Sequence, residues 1–139
     1  MTKLLVPVDG SEQSSKAAEW AAQWAGQTDC TVTLLHIYDI TANEAVGLAS
    51  LSKEQVEEIK VSVSRASFEK AIALMGNIKP TTKITTGDPA NEIISHAKLQ
   101  NIDHIVMGSR GMSPVRELLL GSVSDKTIRH ASCPVTIIR

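Results

Sequence analysis

Five short runs suited to β-strands, each separated from the next by a stretch with helical character, constrain this chain more than any other feature. Leu4-Leu5-Val6-Pro7-Val8 is apolar throughout, the pattern of a strand buried on both faces between two layers of helix. Thr31-Val32-Thr33-Leu34-Leu35-His36-Ile37-Tyr38 is rich in β-formers and reads as a second strand. Thr81–Thr86 reads as a third, more exposed strand, His104-Ile105-Val106-Met107 as a fourth and Pro134-Val135-Thr136-Ile137-Ile138 as a fifth. Asp9-Gly10-Ser11 is a turn and helix cap, after which Ala17, Ala21, Trp24 and Ala25 share one helical face up to Gly26. A long helix is predicted from Lys53 to about Gly76, with Val56, Ile59, Val63 and Ala66 recurring at helical spacing. Asp88 caps a third helix that opens at Pro89 and turns Ile93, Ile94 and Ala97 inward. The last helix runs from Ser122 to about Ala131. Strand and helix alternating in this way, with right-handed crossovers, give one doubly wound five-stranded parallel sheet with helices on both faces. The 139 residues suit one domain spanning residues 1–139.

Charge and composition remove several function classes. Fourteen basic and fifteen acidic residues leave a net charge of −1, which argues against a general nucleic-acid or membrane-surface binder. No apolar run approaches the roughly 20 residues of a membrane span. The segment from Met1 to Asp9 reads as a strand and not as a signal peptide. Cys30 and Cys133 have neither metal nor redox spacing and read as reduced thiols, so a cytoplasmic protein is expected. His36, His96, His104 and His130 are scattered over different elements with no helical metal spacing, so packing or capping is expected of them and no protein metal site is predicted. Trp20 and Trp24, four apart on one helix, read as packing.

The candidate site lies at the carboxyl ends of strands one and four. Gly108-Ser109-Arg110-Gly111, then nine residues, then Gly121-Ser122 is a pattern suited to a phosphate cradle. Glycine lets the main chain approach an anion closely, and a helix beginning at Ser122 aims its free N–H groups and positive dipole end at that anion. Open parallel sheets bind ligands where the strand order reverses. If strands one and four are neighbours there, Asp9 faces Gly108 across one crevice. Asp9 can accept from ribose hydroxyls or a base amine, or cap the helix after Gly10, and the two roles can coexist. The chain has no Walker A lysine after Gly121, no dinucleotide fingerprint after strand one, and no aromatic near the strand ends except Tyr38 to stack on a flavin. Residues 39–52 read as a longer connection able to cover a site.

Pro7-Val8-Asp9-Gly10-Ser11, Leu34-Leu35-His36-Ile37, Gly87-Asp88-Pro89, the Gly108 to Ser122 motif and Cys133-Pro134-Val135 together resemble the universal stress protein family over essentially the whole chain. The intact glycine spacing resembles the single-domain, nucleotide-binding branch. The resemblance implies a Rossmann-like fold of the adenine nucleotide alpha hydrolase-like type, binding ATP, or AMP or ADP, with magnesium or manganese held by the phosphates. It implies that Pro7, Val8 and Asp9 line the adenosine, that Ile37 meets the adenine edge through its backbone, and that Met107, Gly108, Ser109, Arg110 and Gly111 lie under ribose and phosphates. It further implies that Gly121, Ser122, Val123 and Ser124 hold the phosphate tail through N–H and hydroxyl groups. Arg110 replaces a histidine common in relatives, and its guanidinium can pair with phosphate or point to solvent. Arg116 and Lys126 are weaker phosphate candidates, for which surface placement is the simpler reading. A homodimer is implied through strand five (134–139), together with an unidentified regulatory protein partner. Two functions of different class follow. One is a nucleotide-dependent stress-response regulator. The other is a slow ATPase or a phosphotransferase that phosphorylates itself at Ser122 or Ser124. A nucleotide-independent interaction domain is the third possibility.

Overall fold

The computed structural model describes residues 1–39, 51–110 and 120–139. In chain order these form β1 (Thr2–Pro7), α1 (Glu12–Ala25), β2 (Cys30–Tyr38), α2 (Lys53–Ile72), β3 (Thr81–Thr86), α3 (Pro89–Leu99), β4 (His104–Gly108), α4 (Ser122–His130) and β5 (Val135–Ile138). The strands make one five-stranded sheet in the order β3-β2-β1-β4-β5, and every neighbouring pair is parallel. The α/β architecture expected from the alternation is therefore the one observed.

β1 is buried on both faces because it is central. Leu4 and Val6 turn toward α1 and α2, where they meet Ala17, Ala21, Phe68 and Ala71. Leu5 turns the other way and packs with Leu35, Ile93 and Ile105 beneath α3. The alanines of α1 bring that helix close to the sheet, and Gly26 caps it. β3 is an edge strand, and Thr81 to Ile84 are exposed, as expected.

α2 departs from its predicted register. Its buried residues are Ser64, Ser67, Phe68 and Ala71, while Val63 is 43% exposed. The serines can line the inner face because each hydroxyl donates back to its own helix, Ser64 to the Val61 carbonyl at 3.0 Å and Ser67 to the Val63 carbonyl at 3.1 Å. A satisfied hydroxyl loses most of its burial penalty, so these serines pack as small residues.

Trp20, Trp24, His36 and His104 pack, whereas His130 is exposed. Trp20 and Trp24 meet edge to face with ring centres 5.2 Å apart, and Trp24 meets His104 in the same way at 5.0 Å. The His104 Nε2 lies 2.6 Å from the Thr136 hydroxyl, and burial lowers the His104 pKa. The His36 Nδ1 lies 2.9 Å from the Val8 carbonyl, and its ring meets Phe68 edge to face at 6.2 Å. A carbonyl only accepts, so Nδ1 carries the proton.

Three buried hydroxyls at the ends of β2 and β3, those of Tyr38, Thr85 and Thr86, have no hydrogen-bond partner among the described residues. An unmade buried bond costs about 1–3 kcal/mol. Tyr38→Phe is therefore expected to raise the unfolding free energy in urea by about 1 kcal/mol; a fall of that size would show that the hydroxyl is paired in solution.

Candidate functional site

The chain passes from β1 outward through β2 to β3, then crosses to the other side of β1 to make β4. That reversal opens a crevice between the carboxyl ends of β1 and β4, and the sequence places Asp9 at one wall and Gly108 at the other.

At the β1 wall the main chain is fixed by its own turn. Val8 N–H donates to the Leu35 carbonyl at 2.8 Å. Asp9 Oδ1 accepts from Ser11 N–H at 2.9 Å, Gly10 takes φ +86°, and Ser11 Oγ accepts from Ser14 N–H at 3.1 Å as the cap of α1. Lys70 Nζ, from α2, donates to the Gly10 carbonyl at 2.8 Å. Asp9 thus braces the turn before α1 while Ser11 caps the helix, and Asp9 stays exposed at the crevice. One accepted bond uses a small part of a carboxylate's capacity.

Beside Asp9 is a small cleft of about 80 Å³ lined by Pro7, Val8, Asp9, Ile37, Pro89, Ile93 and Val123. Five of these seven are residues the sequence assigned to the site. The sequence marks Pro89 only as a helix start and Ile93 only as a core residue, although the Gly87-Asp88-Pro89 signal shows where they enter. The N-terminus of α3 is already closed. Asp88 Oδ2 accepts from Asn91 N–H at 3.0 Å and from Lys126 Nζ at 3.3 Å. The Asn91 bond is the main cause of the lowered Asp88 pKa, with Lys126 helping. Lys126 is thereby a surface ion-pair partner of Asp88.

At the β4 wall, Ser109 N–H donates to the Ile138 carbonyl at 2.8 Å and Gly121 N–H to the Ser109 carbonyl at 2.7 Å. Gln13 Oε1 accepts from Arg110 N–H at 2.8 Å and from the Ser109 hydroxyl at 3.2 Å. Gly108 lies against α1, where an added Cβ would stand 3.0 Å from Gln13 Cβ and 3.1 Å from its carbonyl carbon. Its lack of a side chain is first a packing requirement. Gly121 is the N-cap of α4, in extended backbone, and no side chain caps the helix there. The caps of α1, α2 and α3 are Ser11, Ser52 and Asp88, each accepting from a first-turn N–H. Only α4 among the described helices presents its N-terminus without such a cap. Ser122 is exposed at that opening.

Three residues assigned to the phosphate side are buried. The Ser124 hydroxyl is buried and donates to the carbonyls of Gly108 and Ser109 at 2.9 and 3.0 Å. Its single proton is committed to holding the end of β4, and only its backbone N–H remains for an anion. Ser109 is 3% exposed and bonded to Gln13, and Met107 is 5% exposed within the α3-side core. Gly111, Arg116 and most of the 39–52 connection lie outside the described residues. Gln13 was not anticipated; its partners are 96 and 97 residues away in sequence, and no local pattern marks it.

Among the described residues no group of three or more His, Cys, Asp or Glu side chains could hold a metal ion, and no helix is long and apolar enough to cross a membrane.

Known proteins are similar to this chain along its length and in fold. The chain is 33% identical to universal stress protein YxiE of Bacillus subtilis, with 99% of this chain and 98% of the relative covered. It is 34% identical to universal stress protein MJ0531 of Methanocaldococcus jannaschii, covering 99% and 81%. The solved structure of MJ0577 superposes with a TM-score of 0.76 at 29% identity, covering 99% of this chain and 94% of that one. More distant structures of the same fold, at 22%, 24% and 19% identity, were solved with cAMP, AMP and dAMP respectively. The sequence profile of the universal stress protein family matches residues 1–139. Matched by the family profile over its whole length and by relatives at 33% and 34% identity, this chain belongs to the universal stress protein family.

Proposed function

We propose that this chain binds an adenine nucleotide, ATP foremost, and acts as a nucleotide-dependent regulatory module in a stress response. The observation that carries the reading is the α4 N-terminus, which lacks a side-chain cap and opens beside a small, mostly apolar cleft with a carboxylate at its rim. An apolar wall for a base, an acceptor for ribose or amine, and an anion-binding helix end then follow one another across the crevice. Pro7, Val8, Ile37, Pro89 and Ile93 would hold the base, and Asp9 the ribose or base amine. The N–H groups of Ser122, Val123 and Ser124 would hold the phosphates, with the Ser122 hydroxyl. Gly108, Ser109, Arg110 and Gly121 would shape the cradle, with Gly111 completing it. Magnesium or manganese would arrive with the phosphates. That fold neighbours hold cAMP, AMP and dAMP supports the ligand class. The committed Ser124 hydroxyl argues against self-phosphorylation at that residue.

The chain is further proposed to be a cytoplasmic homodimer. β5 ends the sheet, and its residues Val135 to Ile138 are each only half-buried. A second copy pairing antiparallel along that edge would cover it.

Calorimetric titration with ATP, ADP, AMP and cyclic AMP, with and without magnesium, tests the ligand. Saturable micromolar ATP binding is the expected result. No binding of any nucleotide by folded, ligand-free protein would leave the interaction-domain reading in its place. Sedimentation of the same samples is expected to give twice the mass of the 139-residue chain, and a monomer at all concentrations would remove the dimer.

A further inference from the structure

We infer that Gln13 is a positioning residue for the phosphate end of the site, holding the corner after β4 at a set distance from Asp9. The inference rests on the nucleotide reading above. Gln13 lies in the first turn of α1, whose start is fixed by the Ser11 cap and the Asp9 turn. Its side-chain oxygen accepts from Arg110 N–H at 2.8 Å and from the Ser109 hydroxyl at 3.2 Å. A main-chain N–H can only donate, so the oxygen end of the amide must face the corner. The absent Cβ of Gly108 lets the Gln13 backbone come this close. The corner in turn carries the α4 cap, because the Ser109 carbonyl accepts from Gly121 N–H at 2.7 Å and from Ser124 Oγ at 3.0 Å. One side-chain oxygen therefore connects two ends of the crevice. The turn bearing Asp9 and the helix end bearing Ser122 are tied through α1, and Gln13 sets the span a nucleotide must bridge. A ligand without phosphates has no use for that span.

Gln13→Met keeps length and bulk and removes the acceptor. ATP affinity is expected to fall about tenfold, adenosine affinity to stay within about twofold, and the Arg110 amide to exchange faster by NMR. An unchanged ratio of ATP to adenosine affinity would overturn the inference, as would an equal fall for both ligands. If Gln13→Met does not fold, Gln13→Glu decides. It retains the acceptor, so the Arg110 amide should stay as protected as in the parent, and lost protection there would overturn the clamp. Failure of the unsubstituted protein to bind ATP removes the nucleotide reading and this inference with it. ATP binding whose preference over adenosine ignores Gln13→Met removes the role of Gln13 alone.

Discussion

Replacing Gly121 by aspartate is expected to lower ATP affinity about 100-fold while raising the melting temperature of the ligand-free protein. Gly121 has φ −72° and ψ 166°, a conformation any residue adopts. An added Cβ would stand 3.4 Å from Arg110 Cα and 3.5 Å from the Ser109 carbonyl oxygen, which is ordinary contact. Nothing in the backbone asks for glycine. Aspartate at an N-cap accepts from the first-turn N–H groups and faces the positive dipole end, so it supplies α4 with the cap that α3 already has in Asp88. The gain over glycine is a few tenths of a kcal/mol, or a degree or so in melting temperature for a domain of this size. The same carboxylate occupies the donors a phosphate would use and repels it. Losing one or two charge-assisted hydrogen bonds amounts to about 3 kcal/mol, which is the 100-fold. Adenosine, lacking phosphate, should bind the variant as well as the parent. Titration of both ligands and a thermal melt check this, and ATP affinity within threefold of the parent would sink the α4 anion site. A stabilising substitution that weakens ATP but not adenosine is difficult to explain if Gly121 serves only the fold.

The sheet could be read from the chain because its signals are local. A central parallel strand must be apolar on both faces, and Leu4 to Val8 satisfies that over consecutive residues. Asp88 with Pro89, and Ser122 after Gly121, mark helix starts within a few residues. The α2 register was not legible, because hydropathy ranks Val63 above Ser64. It cannot record that the Ser64 and Ser67 hydroxyls are satisfied by the carbonyls of Val61 and Val63. The site was legible as a spacing but not as a division of labour. Gly108 and Gly121 look alike in the motif, yet the first makes room for α1 and the second leaves a helix end open. Ser122 and Ser124 also look alike, yet one is exposed and the other ties β4 to α4. These distinctions depend on which helix crosses the strand end, and that is decided by the tertiary fold. Gln13 shows this most plainly, since its whole role arises from a contact across most of the chain.

Gly108→Ala, at the other glycine, is expected to destabilise the protein by about 2 kcal/mol. The new Cβ would lie 3.0 Å from Gln13 Cβ, 3.1 Å from its carbonyl carbon and 3.2 Å from its carbonyl oxygen. A flexible side-chain tip could move aside, but two of these three atoms are helix backbone. That backbone is held by the Ser11 cap, by Asp9 N–H on the Ser14 hydroxyl and by the helix ladder itself. Gly108 is equally constrained, since Ser124 Oγ bonds its carbonyl and the next residue bonds Ile138. Relief must come from α1 moving away from β4, which opens the core at Ala17 and Val106 where the two pack. Urea unfolding should show the loss directly, and the melting temperature should fall by about 6 °C. A change within about 0.5 kcal/mol, the scatter of neutral surface substitutions, would mean that α1 and β4 are not in this contact in solution. The two glycine substitutions should therefore move stability in opposite directions. Of these two, it is Gly121→Asp that should separate ATP from adenosine without a loss of stability, because it fills the helix end while leaving the contact between α1 and β4 intact.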